Sequence, residues 1–417
     1  MEFLASPSAP GPGRARAPWR IVGEAAAALA AGMGVGRFVF TPILPLMTAH
    51  AGLTAGGGAT VATANYAGYL IGAAAGIAAP RIVRSSAVLR TSLVVLVVSL
   101  ALMPVTRSLE LWCVLRLIAG AASALVFMIA AAGLLSHLSS RGAHLTGWAF
   151  GGVGAGIALS GVLVLVIRAT STWTSAWIAS AILTGVLAAA AWNLLPEPDH
   201  VRPAPDVRAR APRTHRWFIA VTVSYTLEGI GYIIAGTFLV AAIDQHSAGW
   251  VGGGAWVLAG IAAVPSSALW AWLSVRISRP GPLLVALVVQ AIGIALPSVF
   301  GGVAPALVSA VLFGATFLGI ATMALAIGNH LRFPRAVAIL TTAYSIGQLL
   351  GPIVVTPLLH SGYRSALLTG AAVVLAAAVA AAILRIRFPH HVSSPEAPSA
   401  ALPCRHGETS AIPVDPC

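Results

Sequence analysis

Twelve apolar runs, each long enough to cross a hydrocarbon layer as a helix, recur along this chain of 417 residues. A bilayer core about 30 Å thick takes roughly 20 apolar residues at the helical rise. Runs of that length fall at 21–48, 57–80, 85–105, 109–135, 142–167 and 173–195, and again at 217–243, 249–274, 282–300, 303–329, 335–360 and 363–384. Backbone polar groups find no water inside lipid, so such runs are stable there as helices. Charged residues make up 8% of the chain, against roughly 25% in a soluble domain. A water-soluble enzyme is excluded, and the fold class that remains is an all-α membrane protein with twelve transmembrane helices.

Orientation comes from the arginines. All 24 basic residues are arginine, and with 11 acidic residues the formal charge is +13, which in a soluble chain would suggest nucleic acid. Placing the N-terminus inside puts nineteen arginines in inner segments and only Arg107, Arg168 and Arg364 in outer loops, while Arg37 and Arg116 lie within spans. This is the positive-inside bias. The charge is therefore a topology signal and not a nucleic-acid surface, and both termini are expected in the cytoplasm, with the chain embedded in the lipid bilayer of the cytoplasmic membrane. Residues 1–20 read as a cytoplasmic segment, 21–195 as one six-helix bundle, 196–216 as a basic, proline-rich cytoplasmic linker, 217–384 as a second six-helix bundle, and 385–417 as a disordered tail. Trp19, Trp112, Trp173, Trp217 and Trp250 fall near span ends, where indole rings anchor at the interface. Three scattered cysteines make neither a disulfide framework nor a metal site. His390, His391, Cys404, His406 and Cys417 in the tail lack the tight spacing a metal needs.

Shifting the chain by 195 residues superimposes its halves. Gly34-Val35-Gly36-Arg37-Phe38 falls on Gly229-Ile230-Gly231-Tyr232-Ile233, and Arg81 at the inner end of span 2 falls on Arg276 at the inner end of span 8. Two six-helix halves in parallel duplication are the plan of major facilitator transporters. The residues carry the likeness further. GMGVGRFVFTPILPLM in span 1, NYAGYLIGA in span 2, EGIGYIIAGTFL in span 7 and AYSIGQLLGP in span 11 resemble the YbfB/YjiJ-like branch of the major facilitator superfamily. Gly36 followed by Pro42-Ile43-Leu44-Pro45 is similar to the first-span proline motif of drug/proton exporters, and Arg116 with Gly120 and Ala124 resembles the superfamily's fourth-span pattern. The likeness spans about residues 20–385. It departs between spans 2 and 3, where Gly76 leads to Pro80-Arg81 and Val83 without the acidic residue and second glycine of the usual inner latch. The resemblance implies two pseudo-symmetric six-helix bundles around a central cavity and transport by alternating access.

Charges inside the membrane are the sharpest site candidates. A charge at mid-bilayer costs about 2.5–3.5 kcal/mol on insertion scales, so it faces a partner or a wet cavity. Arg37 lies past the midplane of span 1, and Glu228 on span 7 falls one turn below it under the 195-residue shift; a direct pair or a shared water network across the halves is expected. The functional reading makes Arg37 an anion anchor and Glu228 a proton-coupling acid; the alternative is a static ion pair that fixes packing. Arg116 has two open readings: proton coupling, or snorkelling to bond loop carbonyls. Glu24, close to Arg20, reads as a helix-start charge. Gly34, Gly36, Gly229 and Gly231 are spaced by two and suggest locally broken or flexible helix, and Pro42 and Pro45 should bend span 1 at its outer end. These six are the gating candidates, with packing as the alternative. Asn65, Tyr66, Tyr225, Tyr232, Tyr344 and Gln348 are polar groups amid apolar runs, candidates for lining the cavity or for bridging helices.

With no lysine there is no Walker loop, and H-E-x-x-H and G-x-S-x-G are absent, so ATP-driven, protease and esterase readings lack their residues. No enzyme activity, metal or cofactor is expected. The reading is a monomeric secondary transporter of a small organic solute (an anion, a zwitterion or a drug-like compound), coupled to protons. A membrane sensor or assembly factor on a transporter scaffold is the alternative, separated from it by whether the cavity is open and polar.

Overall fold

The computed structural model describes residues 18–138, 143–168, 172–194, 214–247, 249–277 and 280–389. The tail expectations, its histidines and cysteines included, lie outside this set, as do most of the N-terminal segment and the linker. Twelve helices are long and apolar enough to cross a membrane: Pro18–His50, Ala55–Ala78, Ser86–Val105, Leu109–Leu134, Leu145–Arg168 and Trp173–Ala191 in the first half, then His215–Asp244, Val251–Ser274, Gly281–Val299, Val303–His330, Ala336–His360 and Tyr363–Leu384. They are spans 1 to 12. No strand occurs among the described residues. Thr54 and Ser85 start spans 2 and 3 by accepting from Gly57 N and Val88 N, which satisfies one of the donors a helix start leaves bare.

Spans 1 and 7 form the centre. In their apolar windows 94% and 78% of residues are buried within the protein, against 33–56% in the other ten. A helix buried all round must pack by small residues as well as by apolar area, because lipid offers no hydrophobic drive between helices. The duplication is visible at the centre itself: the Thr41 hydroxyl of span 1 donates to Gly236 O of span 7, and those two positions are 195 apart. Residues equivalent under a twofold operation meet where its axis passes, so the shift read from sequence is the structural one.

The halves join along two seams. Spans 5 and 8 pack backbone against backbone: a Cβ on Gly260 would lie 2.3 Å from Ala158 N, and one on Gly154 would lie 2.7 Å from Gly260 O. Gly260→Val should therefore lower stability by roughly 1–3 kcal/mol through overpacking, read as a fall in the thermal midpoint of purified protein. Gly185→Ala, where a Cβ meets nothing within 4 Å, is the matched control and should leave the midpoint unchanged. Spans 2 and 11 also touch, with the 3-10 turn Thr356–Ser361 at the outer end of span 11 resting on span 2.

Closure is tightest on the outer side. Residues 28–44 of span 1 and 231–243 of span 7 are buried without exception, whereas the inner half of span 7 keeps Ile219 and Val223 exposed. Arg168 at the outer end of span 5 pairs with Asp244 at the outer end of span 7 at 2.7 Å, joining the two halves. Arg168→Gln should loosen that seal. With about 1 kcal/mol at stake for a part-exposed pair, a cysteine placed at Ala242 should react roughly fivefold faster with a membrane-impermeant thiol reagent; an unchanged rate would show that the pair does not hold the outer side shut.

One expectation at the span ends needs correction. Trp112 and Trp173 are buried and pack edge to face, 6.0 Å between centroids, with the Trp112 indole donating to Met103 O at 3.0 Å. Helix-end position alone does not distinguish them from Trp19 and Trp250, which are exposed as anchors should be. Glu24 pairs with Arg20 at 3.0 Å, one turn apart.

Candidate functional site

Span 1 is not one helix. An α-helix Pro18–Leu29 passes into a π-helical turn Ala30–Val35, residues 36–39 are non-helical turn, and an α-helix resumes over Phe40–His50. Gly36 N donates to Ala31 O at 2.8 Å, the five-residue step of the wide turn. Gly36 is small because its Cβ would lie 2.8 Å from Gly32 O inside that turn, and Gly34 because its Cβ would lie 2.5 Å from Gly156 Cα on span 5. The break thus falls where the glycines are, inward of Pro42 and Pro45, which lie in the resumed outer helix. Gly229 and Gly231 behave differently, and the helix-break expectation fails for them. Span 7 is continuous α-helix from His215 to Asp244, and these glycines instead admit Tyr344 O of span 11 and Gly370 O of span 12.

Broken backbone at membrane depth is tolerated only where the protein satisfies its freed groups. Arg116 of span 4 does so. Its Nη1 donates to Gly36 O and its Nη2 to Arg37 O, both at 2.8 Å, and the residue is 1% exposed. The guanidinium does not snorkel; it is buried and spans the break, with the rings of Phe40 and Trp177 at 5.8 and 6.0 Å. Asn65 of span 2 donates to Arg116 O at 2.8 Å, tying spans 2 and 4 together beside it.

Arg37 projects from this break into the contact between the halves. Its Nη2 donates to the side-chain oxygen of Gln348 on span 11. Its Cζ lies 4.2 Å from the ring centre of Tyr69, 5.1 Å from that of Tyr66 and 5.4 Å from that of Phe38, a cage of aromatic faces of the kind that attracts cations. The Tyr66 hydroxyl is 2.8 Å from the hydroxyl of Thr237 on span 7. From span 7, Tyr232 adds a ring near-parallel to Tyr344 at 5.7 Å and to Phe317 at 5.9 Å, and Tyr225 stacks on Tyr344 at 4.1 Å.

The direct Arg37–Glu228 pair expected from the shift is not formed. Glu228 is wholly buried, no cation pairs with it among the described residues, and the group within reach of its carboxylate is the amide of Gln290 on span 9. The shift predicts height along the helix correctly but not rotation around it: Arg37 turns toward spans 2 and 11, Glu228 toward span 9. Glu228 lies one helical turn from both Tyr225 and Tyr232, whose rings stack on Tyr344, and Arg37 bonds Gln348 one turn from Tyr344 on span 11, so the two charges flank one group of rings without touching.

Of the residues singled out from sequence, Arg37, Tyr66, Tyr225, Tyr232, Tyr344 and Gln348 are gathered here, Arg116 and Asn65 support the break, and Glu228 lies beside Gln290. Sequence reasoning misses Tyr69, Gln290, Phe38, Phe317 and Trp256 of span 8, whose ring lies 6.4 Å from that of Phe38. Gln290 has a findable signal, being a lone amide in the apolar run LLVALVVQAIGIALPS, and Tyr69 follows Tyr66 by three on one helical face. The phenylalanines carry no sequence signal that sets them apart from lipid-facing ones. No group of three metal-ligating side chains occurs among the described residues.

Twelve spans in two halves with a buried, polar centre match known proteins. The family profile described as "uncharacterised MFS-type transporter YbfB" aligns with residues 29–383. The chain belongs to this family of major facilitator transporters. Among solved structures it is similar to a point mutant of the nucleoside transporter NupG, with a TM-score of 0.67 at 13% identity over 88% of this chain and 99% of that one. No curated protein matches its sequence. In this YbfB-type transporter the broken first span and the tyrosine-lined contact lie together at the buried centre of the two halves.

Proposed function

We propose that this transporter moves a small organic solute across the cytoplasmic membrane by alternating access, as a monomer and coupled to protons, with Arg37 anchoring an anionic or zwitterionic group and Glu228 carrying the proton. The observation that carries the proposal is the separation of the two buried charges: Arg37 has neutral partners, the Gln348 amide and the Tyr69 hydroxyl, and Glu228 has only the Gln290 amide. A static ion pair would have joined them. An acid at the protein centre with no cation against it can take a proton when the site is dry and release it when the site opens to water, which is what coupling requires. Both halves of one chain supply the site, which supports a monomer. The sealed outer side and the part-exposed inner half of span 7 fit one face of an alternating cycle.

The test is proton movement in vesicles carrying purified protein, challenged in turn with organic acids, amino acids and amphipathic drugs. Solute-dependent proton flux is expected for at least one class. Flux with none of them, alongside binding of one, would overturn coupled transport in favour of a uniporter or sensor.

A further inference from the structure

We infer that the site takes a planar aromatic monocarboxylate, its carboxylate on Arg37 and its ring against the parallel tyrosines. This deepens the reading of Arg37 as an anion anchor and does not depend on proton coupling. Three observations lead to it.

The first is charge. Among the described residues Arg37 meets no carboxylate: its partners are the neutral Gln348 amide and Tyr69 hydroxyl, and its Nε has no acceptor. A guanidinium is a planar fork matched to a carboxylate's two oxygens, and Gln348 occupies one prong with the only part of its amide that can accept. A carboxylate would exchange a neutral acceptor for a charged one. The second is the count. Arg37, Arg116 and an ionised Glu228 leave one net positive charge at the centre, and Arg116 is already engaged by the carbonyls of Gly36 and Arg37, so one negative charge is balanced. A dianion such as a phosphate monoester would bring a second charge into a low-dielectric site that already holds Glu228, and an uncompensated buried charge weakens binding by roughly a hundredfold or more.

The third is shape. Tyr225, Tyr344, Tyr232 and Phe317 stand with successive planes within 5–8° of one another, and Phe313 lies within 16° of Tyr232. Spans 7, 10 and 11 supply these rings, so their common orientation is not the result of one helix's periodicity. Ring faces in a single orientation beside a cation receive a flat π-system better than a puckered or branched body. Offset stacking adds roughly three- to tenfold in affinity beyond buried area.

Binding of 1-naphthoate to the purified full-length protein in nanodiscs, without any gradient, tests this. We expect 1-naphthoate to bind at least tenfold more tightly than its saturated analogue decahydro-1-naphthoate, and 1-naphthamide and 1-naphthyl phosphate to bind at least tenfold more weakly than 1-naphthoate. Arg37→Gln should abolish the preference for acid over amide, and Tyr232→Leu should remove the preference for the flat ring while keeping acid over amide. Because Arg37→Gln could disturb the fold, Arg37→Lys is the second variant: it keeps the charge, loses the fork, and should bind several-fold more weakly with unchanged thermal midpoint. Equal binding of flat and saturated acids, equal binding of the phosphate, or no binding of any of these acids to folded protein overturns the inference. Selective 1-naphthoate binding without proton flux would sustain it and sink coupling; proton flux with non-aromatic solutes alone would do the reverse.

Discussion

Arg116→Leu should lower the stability of the protein by roughly 2–6 kcal/mol, the cost of leaving two buried carbonyls without donors at about 1–3 kcal/mol each. Gly36 O and Arg37 O belong to a stretch of span 1 that has left the helical ladder, and Arg116 supplies a donor to each at 2.8 Å. No water reaches them from lipid, and the backbone donors of the neighbouring helices are engaged in their own ladders. Leucine fills much of the volume, so loss of packing contributes little and the effect isolates the hydrogen bonds. Arg116→Lys should be intermediate, because an ammonium is a point donor that cannot hold both carbonyls in the geometry of the fork. The thermal midpoint of detergent-purified protein measures this, and solute binding should fall with it, since Arg37 is carried on the bonded stretch. An unchanged midpoint in Arg116→Leu would mean that the break does not depend on span 4.

Glu228→Gln should abolish solute-dependent proton flux, a drop of tenfold or more, while leaving the protein folded and the thermal midpoint equal or higher. The substitution keeps shape and removes a titratable group that no cation pairs with among the described residues and whose neighbour is the amide of Gln290. Replacing a buried ionisable group by a neutral isostere is commonly neutral or stabilising, so loss of flux with intact stability would assign a transport role and not a packing one. The pH dependence of solute uptake should flatten in the same variant, while exchange of unlabelled for labelled solute, which needs no net proton movement, should persist. Retained flux with unchanged pH dependence would remove Glu228 from the coupling scheme.

Gln290 enters the same test. As the polar side chain that faces Glu228 among the described residues, it positions the carboxyl, and Gln290→Leu should shift the pH profile of uptake without abolishing flux. A flat response would make the amide a bystander.

Solvent and periodicity account for what is legible in the residues alone. Hydrocarbon forces long apolar runs into helices, the translocation bias of arginine orients them, and duplication preserves a constant offset. Twelve spans and two halves related by 195 residues therefore need no tertiary information, and the same arginine bias is what the expected orientation rests on. The unusual intramembrane residues are legible too, because a charge in an apolar run is costly wherever it points. Their partners are not. Whether Arg37 meets Glu228 depends on the rotation of spans 1 and 7 about their axes, and the π turn at residues 30–35 changes that rotation for everything beyond it. Glycines spaced by two occur in both spans, yet only span 1 breaks; in span 7 they let the backbones of spans 11 and 12 approach. The same letters have two outcomes because neighbours, not the glycines, decide whether a donor such as Arg116 is present to satisfy an opened backbone. The tyrosine planes are tertiary in the same sense: each ring is visible as a residue, but their common orientation comes from three helices converging on one contact.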